Sequence, residues 1–554
     1  MNKKTLLIVA SVAALLLVVG GVFAAMHFNS ANDEMKEEKR SKSVKTSTDD
    51  TLLFYVNLGQ LGEKSAIGDV LTDANRRLLS IIFSNGLDSK YVNSLLSNLN
   101  ATGLDIDKPI YSYANIVDNN LEMVIAADVA DVNAVDDFVE FAYEIVGGNA
   151  DDIVRDGKTR SLSLGNFTIA YNEKRFVLAT CLTDDYYADG SALAAAKALK
   201  RPKLNLSGYK GYDMAFSLKL MPIIDMVCVY TQATIDDCLE YLEEVDEWER
   251  EWVMYEIDTL KQNLKQMEEL KKYLDNNAAI TAGLTFESGK IVLDMSIDGV
   301  EYEDACRKVS NDHLAYIDND AIGVMNVGID GKKASKLLSK YITSDYAEML
   351  GLSRNEFNIY FGIFCDAIES INGDVTIALN DFSYYGEDVD VVMAVDVDDD
   401  YIISNIAQFG SGFLKKRGNN CYGIDYAGNR LTLGQEDDTF YATINESFEP
   451  QNVSAEETAW AHDVKDSYGY LVVDINNLMK NSYISAAFRD AMYYSMDSFS
   501  AELVNNFVKS CSHAYLTIDS PTSAQLVLAF DDQETNSLEQ LVRMFVPAII
   551  HNIL

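Results

Sequence analysis

Internal repetition constrains this chain more than any other feature, because a recurring order of strand, helix and hairpin sets the same packing problem several times in one molecule. Four segments open on alternating, half-buried strands that lead toward helices. They are TLLFYVNLGQL from residue 51, KGYDMAFSLKL from 210, AIGVMNVGIDGKKASKLL from 321 and YGYLVVDINNLMK from 468. Each is followed by a β-hairpin: PIYSYANIVDNNLEMVIAADV from 109, AITAGLTFESGKIVLDMSID from 279, GDVTIALNDFSYYGEDVDVVMAVDV from 373 and HAYLTIDSPTSAQLVLAFDD from 513. Asn, Ser, Gly, Pro or Asp stand at the turns, as hairpin loops require. An acidic or Asn-rich junction and another helical run then follow every hairpin: DVADVNAVDDFVEFAYEIV, DGVEYEDACRKV, DDDYIISNIAQF and DDQETNSLEQLVRMF.

The first and third repeats continue into a second hairpin, SLSLGNFTIAYNEKRFVLAT from 161 and CYGIDYAGNRLTLGQEDDTFYATIN from 421. This alternation marks a duplicated two-unit block over roughly 50–310 and 318–554, joined by HLAYIDND near 313–320. The repeats then span 51–207, 208–317, 318–465 and 466–554. The expected fold is α+β, built of tandem β-α-β-β-α(-β-β) units on antiparallel sheets. Their order matches the ferredoxin-like plan, and sheets shared between neighbouring units are the alternative. One insertion, 233–276, has no Pro or Gly and carries many i,i+4 charge neighbours, so it reads as one long helix or a helical hairpin. Leu260, Leu264, Met267 and Leu274 can share a face, with Trp248 and Trp252 on an earlier turn. Packing on its own sheet is preferred to self-association, because sustained heptads are missing.

The nearest approach to a chemical motif is VVMAVDVDDDYIISNIAQF, residues 391–409, with Asp396, Asp398, Asp399 and Asp400. Four carboxylates so close suggest a calcium-sized ion, but a calcium loop starting at Asp396 would want Gly at position 6 and Glu at position 12, where Tyr401 and Ala407 stand. Helix capping and a favourable dipole explain all four junctions instead, so no metal residue is assigned. Catalytic signals are equally thin. The five histidines are 27, 313, 462, 513 and 551, with no HExxH or GxSxG frame, and His313 and His513 are expected at loop ends before strands. Gly410-Ser411-Gly412 with Lys415 and Lys416 lacks the phosphate-loop frame and follows a helix. The tracts Tyr384-Tyr385, Tyr186-Tyr187 and Tyr493-Tyr494 could stack on a sugar or a protein, but burial is the default for aromatics of this density. No catalytic residue, cofactor or metal follows from the sequence.

Between Met1-Asn2-Lys3-Lys4 and His27 no residue is charged, and this apolar core exceeds the roughly 7–15 residues of a cleavable signal. About 20 apolar residues span a bilayer. Residues 1–28 therefore read as a signal anchor, with cleavage near Ala24 as the alternative, and 29–50 as a solvated tether. The body is then exported and membrane-attached. Its formal net charge of -41 leaves no cationic patch for a phosphate backbone, which excludes nucleic acid as a partner. Seven cysteines (181, 228, 238, 306, 365, 421, 511) without CxxC spacing argue against a disulfide framework and for buried small apolar groups.

The export segment, the tether and openings such as TLLFYVNLGQLGEKSAIGDVL together resemble a domain-of-unknown-function family of repeat-containing, Bacteroidetes-type cell-envelope proteins, often lipoproteins. This chain departs from them in lacking a lipobox cysteine, and the resemblance implies no catalytic residues. The expectation is a non-enzymatic cell-envelope protein that binds a protein or glycan through its repeat surfaces. The alternative is an envelope hydrolase with carboxylates in an inter-repeat cleft.

Overall fold

The computed structural model describes residues 50–553 apart from 71–76, 78–93, 95–98, 118–119, 146–148, 183–188, 205, 301–304, 343–352, 383–388, 410–411, 413, 427–428 and 445–446. The signal-anchor expectation and the tether up to residue 49 lie outside these residues, as do Tyr186, Tyr187, Tyr384, Tyr385, Gly410 and Ser411; Asp50, expected at the end of the solvated tether, is buried instead. Among the described residues no helix is long and apolar enough to cross a membrane. The chain forms two compact units, one from the described parts of Lys42–Val300, Glu502–Ser510 and Phe530–Leu554, the other from Glu301–Ala501 and Cys511–Ala529.

In the first unit the elements run β1(Leu52–Val56), α1(Leu58–Ser65), α2(Ile67–Val70), β2(Ile110–Val117), β3(Asn120–Asp128), α3(Val132–Ile145), β4(Val154–Asp156), β5(Thr159–Leu164), β6(Phe167–Tyr171) and β7(Arg175–Leu182). They continue through α4(Asp189–Lys200), β8(Met214–Lys219), α5(Leu220–Glu244), α6(Glu247–Leu270), β9(Leu274–Glu287) and β10(Lys290–Val300). All neighbours are antiparallel, in the order β10-β9-β8-β1-β2-β3-β7-β6-β5-β4. The opening strands β1 and β8 pair with each other, Phe54 opposite Phe216, and each carries its own hairpin outward. A local two-fold relation between the first and second repeats results. The sheet is thus shared between repeats, and β1 lies directly beside β2. A ferredoxin-like split β-α-β would place another strand between them, so the pairing departs from that plan.

The second unit repeats this scheme with β11(Cys306–Arg307), β12(Gly323–Asp330), α7(Gly331–Tyr341), α8(Arg354–Glu369), β13(Ile371–Phe382), β14(Val389–Val397), α9(Tyr401–Phe409), β15(Lys415–Gly418), β16(Cys421–Tyr426), β17(Asn429–Glu436) and β18(Thr439–Ile444). Then come α10(Ala459–Asp463), β19(Gly469–Asp474), α11(Ile475–Lys480), α12(Ser482–Ser495), β20(Cys511–Ser520) and β21(Ser523–Phe530), while most of α13(Ser498–Ser510) and all of α14(Ser537–Ile553) belong to the first unit. The order β20-β19-β12-β13-β14-β18-β17-β16-β15 matches, strand for strand, the run from β9 to β4 in the first unit. The two units therefore share one hydrogen-bond order over these nine strands.

Local chemistry explains the recurrent strand-to-helix openings. Asn57, Asp330 and Asp474 end β1, β12 and β19, and their side chains accept the N–H of Gln60, Lys333 and Asn477, capping the helix that follows. At the fourth opening, after β8, Lys219 offers no such cap; Pro222 in the first turn instead sits where a missing N–H costs nothing. Beneath the first sheet Leu53, Tyr55, Tyr111, Tyr113, Val124 and Val177 meet the alanine face of α4, Ala194, Ala195 and Ala198, whose small side chains let the helix approach closely. Tyr212 lies flat over Gly283 of β9, where any Cβ would meet the ring at 2.3 Å. Asp50, buried, takes both Arg201 guanidinium nitrogens at 2.8 Å, and that guanidinium stacks 4.3 Å from the Tyr113 ring.

Two expectations need correction here. Among the described residues no helix follows the second hairpin: 301–304 of the expected run lie outside them, and Cys306–Arg307 forms β11, which pairs with the end of β12. The insertion is a helical hairpin that begins at Leu220, because α5 continues straight from the strand and breaks only at Val245 and Asp246, both extended.

Candidate functional site

The four aspartates of the third junction do four different things. Only the Asp399 carboxylate caps α9, accepting the Tyr401 N–H at 3.0 Å. Asp400 contributes its backbone carbonyl, which accepts the Ser404 N–H at 2.9 Å. Asp398 takes the Asn372 amide at 2.7 Å and the Lys332 ammonium at 3.2 Å. Those two contacts hold its carboxyl below the usual range. Asp396 points the other way along the strand face: one oxygen lies 3.0 Å from His313 Nε2, and the other accepts the Asp374 N–H at 2.8 Å. Burial alone would raise its pKa, but the hydrogen bonds from His313 and Asp374 outweigh that and depress it. Capping of the remaining helices falls to Asp131 before α3 and to Asn536 before α14, as expected of their junctions.

His313 is not at a loop end. It sits in a single 3-10 turn, Asp312–Tyr316, and its ring is buried between Asp396 and the Thr376 hydroxyl, 2.9 Å from Nδ1. Hydroxyl, imidazole and carboxylate in series have the order of a hydrolytic relay. Thr376 and His313 are both buried, which keeps this one from substrate and makes it a strap that holds the 3-10 turn under the sheet. Beside it Asp374, fully buried, accepts the N–H groups of Ser310 and Asn311 and the Asn326 amide, each at 3.0 Å, and the Ser310 hydroxyl at 3.2 Å. Nothing in the local pattern marks Asp374, since a carboxylate becomes internal only through partners remote in sequence. His513 is likewise internal to β20 and buried, whereas His462 is exposed on α10.

Among the described residues no group of three or more His, Cys, Asp or Glu is placed to hold a metal ion. All seven cysteines are free thiols, but only Cys228, Cys365 and Cys511 are buried, fewer than their apolar surroundings imply. Lys415 and Lys416 are exposed on β15 rather than gathered at a phosphate loop.

The aromatic residues depart furthest from expectation. Between α5 and α6, Ile235, Val253 and Ile257 form a buried seam, supported by Cys238, Leu242, Leu260 and Leu264. The face of α6 carrying Trp248, Trp252 and Tyr255, spaced i, i+4, i+7, stays uncovered at 76%, 66% and 73% exposure. Tyr493 and Tyr494 on α12 are also exposed, at 78% and 83%, and not buried as their density implied. On α8, Ile359, Tyr360 and Phe364 add a third exposed group. The sequence set Trp248 and Trp252 only a turn before the leucine face of the insertion; packing against α5 shows that they, with Tyr255, stay uncovered. Neither a protein-family model nor a curated protein matches this chain.

Proposed function

We propose that this is a non-enzymatic cell-envelope protein, exported and held at the membrane by its N-terminal segment, that binds a protein partner through helices raised on a duplicated repeat scaffold. The observation that carries the proposal is the uncovered aromatic face of α6, with Trp248, Trp252 and Tyr255 side by side. Aromatic side chains bury large area for little lost rotamer freedom, and a cluster of them in contact with water is a typical binding hot spot. The exposed groups on α8 and α12 fit the same role. Kinship with repeat-containing envelope proteins is part of this reading.

The test is affinity capture from envelope extract with the full chain, compared with the Trp248→Ala/Trp252→Ala double variant. A partner recovered by the wild type and lost with the variant supports the proposal. Equal recovery by both moves the binding surface elsewhere, and recovery of a glycan alone overturns the protein-binding reading.

A further inference from the structure

The α5–α6 hairpin has a second property besides its bare aromatics. From Asp236 to Asp258 it carries eleven Asp and Glu against a single base, Arg250. Asp236, Asp237, Glu240, Glu243, Asp246, Glu251 and Asp258 are all exposed. On helical spacing Arg250 falls on the far side of α6 from the tryptophans, while Glu251 falls beside them. The inward face of α6 is already satisfied by α5, so the outward stripe is a second apolar face that, among the described residues, stays exposed. We infer that this acidic aromatic hairpin docks an Arg- and Lys-rich segment of a partner protein, with guanidinium groups lying over Trp248, Trp252 and Tyr255 and paired to the carboxylates around them.

Charge selects this occupant over the others. An anionic lipid surface would be repelled by the same carboxylates. A second copy of the hairpin would bring like charges together. A neutral apolar peptide would leave the acidic rim unanswered. A cationic segment gains both Coulomb attraction and cation–π contact, which is strongest over tryptophan. The inference rests on the proposed binding role and narrows it to one class of partner.

The protein supplies its own reporter. It has three tryptophans; Trp248 and Trp252 are exposed on the hairpin, and Trp460 is buried. The full chain in detergent is titrated with a short Arg–Leu repeat peptide while tryptophan emission and acrylamide quenching are followed. A Gln–Leu peptide and phosphatidylglycerol vesicles serve as comparisons. The expected result is a blue shift and protection from quenching with the Arg peptide alone, weakened at least about tenfold by raising salt toward 0.5 M. The Glu240→Gln/Glu243→Gln/Glu251→Gln variant, whose exposed changes leave the fold intact, should bind about tenfold more weakly. Equal binding of the Gln–Leu peptide, equal binding by the charge-neutralised variant, protection by vesicles, or no protection by saturating Arg peptide would each overturn the inference. If the peptide fails while the captured partner is still lost with the tryptophan double variant, the cationic class is wrong and the binding role stands.

Discussion

Four residues before the capping residue of the opening strand, the two units differ in a telling way. In the first unit that position is Leu53, buried in an apolar cluster between Tyr113 and Ser217 on the neighbouring strands. In the second it is Asn326, equally buried, between Thr376 and Tyr470. The strand order is the same, yet one sheet is sealed by apolar packing and the other by a polar cluster. The cause lies in what passes beneath. Ser310, Asn311 and His313 bring backbone N–H groups, a hydroxyl and a ring under the second sheet, and buried donors require acceptors. Asp374, Thr376 and Asp396 answer them, and the Asn326 amide adds a further donor to Asp374. A duplicated scaffold has thus kept its topology while one copy exchanged apolar for polar packing.

Reciprocal substitutions should break this comparison if it is wrong. Leu53→Asn removes about 2 kcal/mol of apolar burial and adds an unpaired amide worth about 2 more, so a loss of about 4 kcal/mol is expected from the unfolding transition of the first unit. Asp374→Asn keeps the shape but sets an amide against three N–H donors, and should cost the second unit about 3 kcal/mol. Asn326→Leu, which removes one donor of four and adds apolar area, should cost less, about 1 kcal/mol. Urea denaturation midpoints rank the three. A harmless Leu53→Asn, or an Asn326→Leu as damaging as Asp374→Asn, would mean the two cores are not organised in these different ways.

The repeat was legible because alternation and turn residues are local properties: all four opening strands and all four hairpins occur where the pattern places them. Pairing is not local. Whether β1 meets the first or second strand of its hairpin depends on partners as far away as Ala114 is from Leu52, so the ferredoxin-like order could be neither read nor excluded. The same limit hid the fate of Asp396 and Asp374, whose side-chain partners His313 and Asn326 lie 83 and 48 residues away. On α6 the sequence marked one apolar face and set Trp248 and Trp252 a turn before it; only the packing against α5 shows that these two stay exposed.

Asp396 allows a finer comparison through pH. Its folded pKa is depressed below the ordinary aspartate range, so its contribution is complete above the unfolded value, about 3.9, and is lost as pH falls through the lower folded value. The Asp396→Asn variant should therefore be less stable than wild type by about 1–2 kcal/mol from pH 7 down to 5. The gap should close below about pH 4, where the wild-type carboxylate takes up its proton. Thermal midpoints of both proteins over that range check this, and a gap that persists at pH 2 would show that the charge on Asp396 is not what the strap uses.

The smallest effects are expected at the exposed aromatics, where the two units should agree. Trp248→Ala in the first and Tyr494→Ala in the second remove side chains that are mostly in water, so each should shift stability by no more than about 0.5 kcal/mol. Trp460→Ala is the contrast: its indole is buried, tilted 6.4 Å from the Tyr470 ring, and its loss should cost about 3 kcal/mol or more. Near-identity of the two surface variants with wild type in urea, beside a weakened Trp460→Ala, would establish that the hairpin aromatics are available for a partner. A large loss at Trp248 would instead make it part of the fold, and the uncovered face of α6 would cease to be a binding surface.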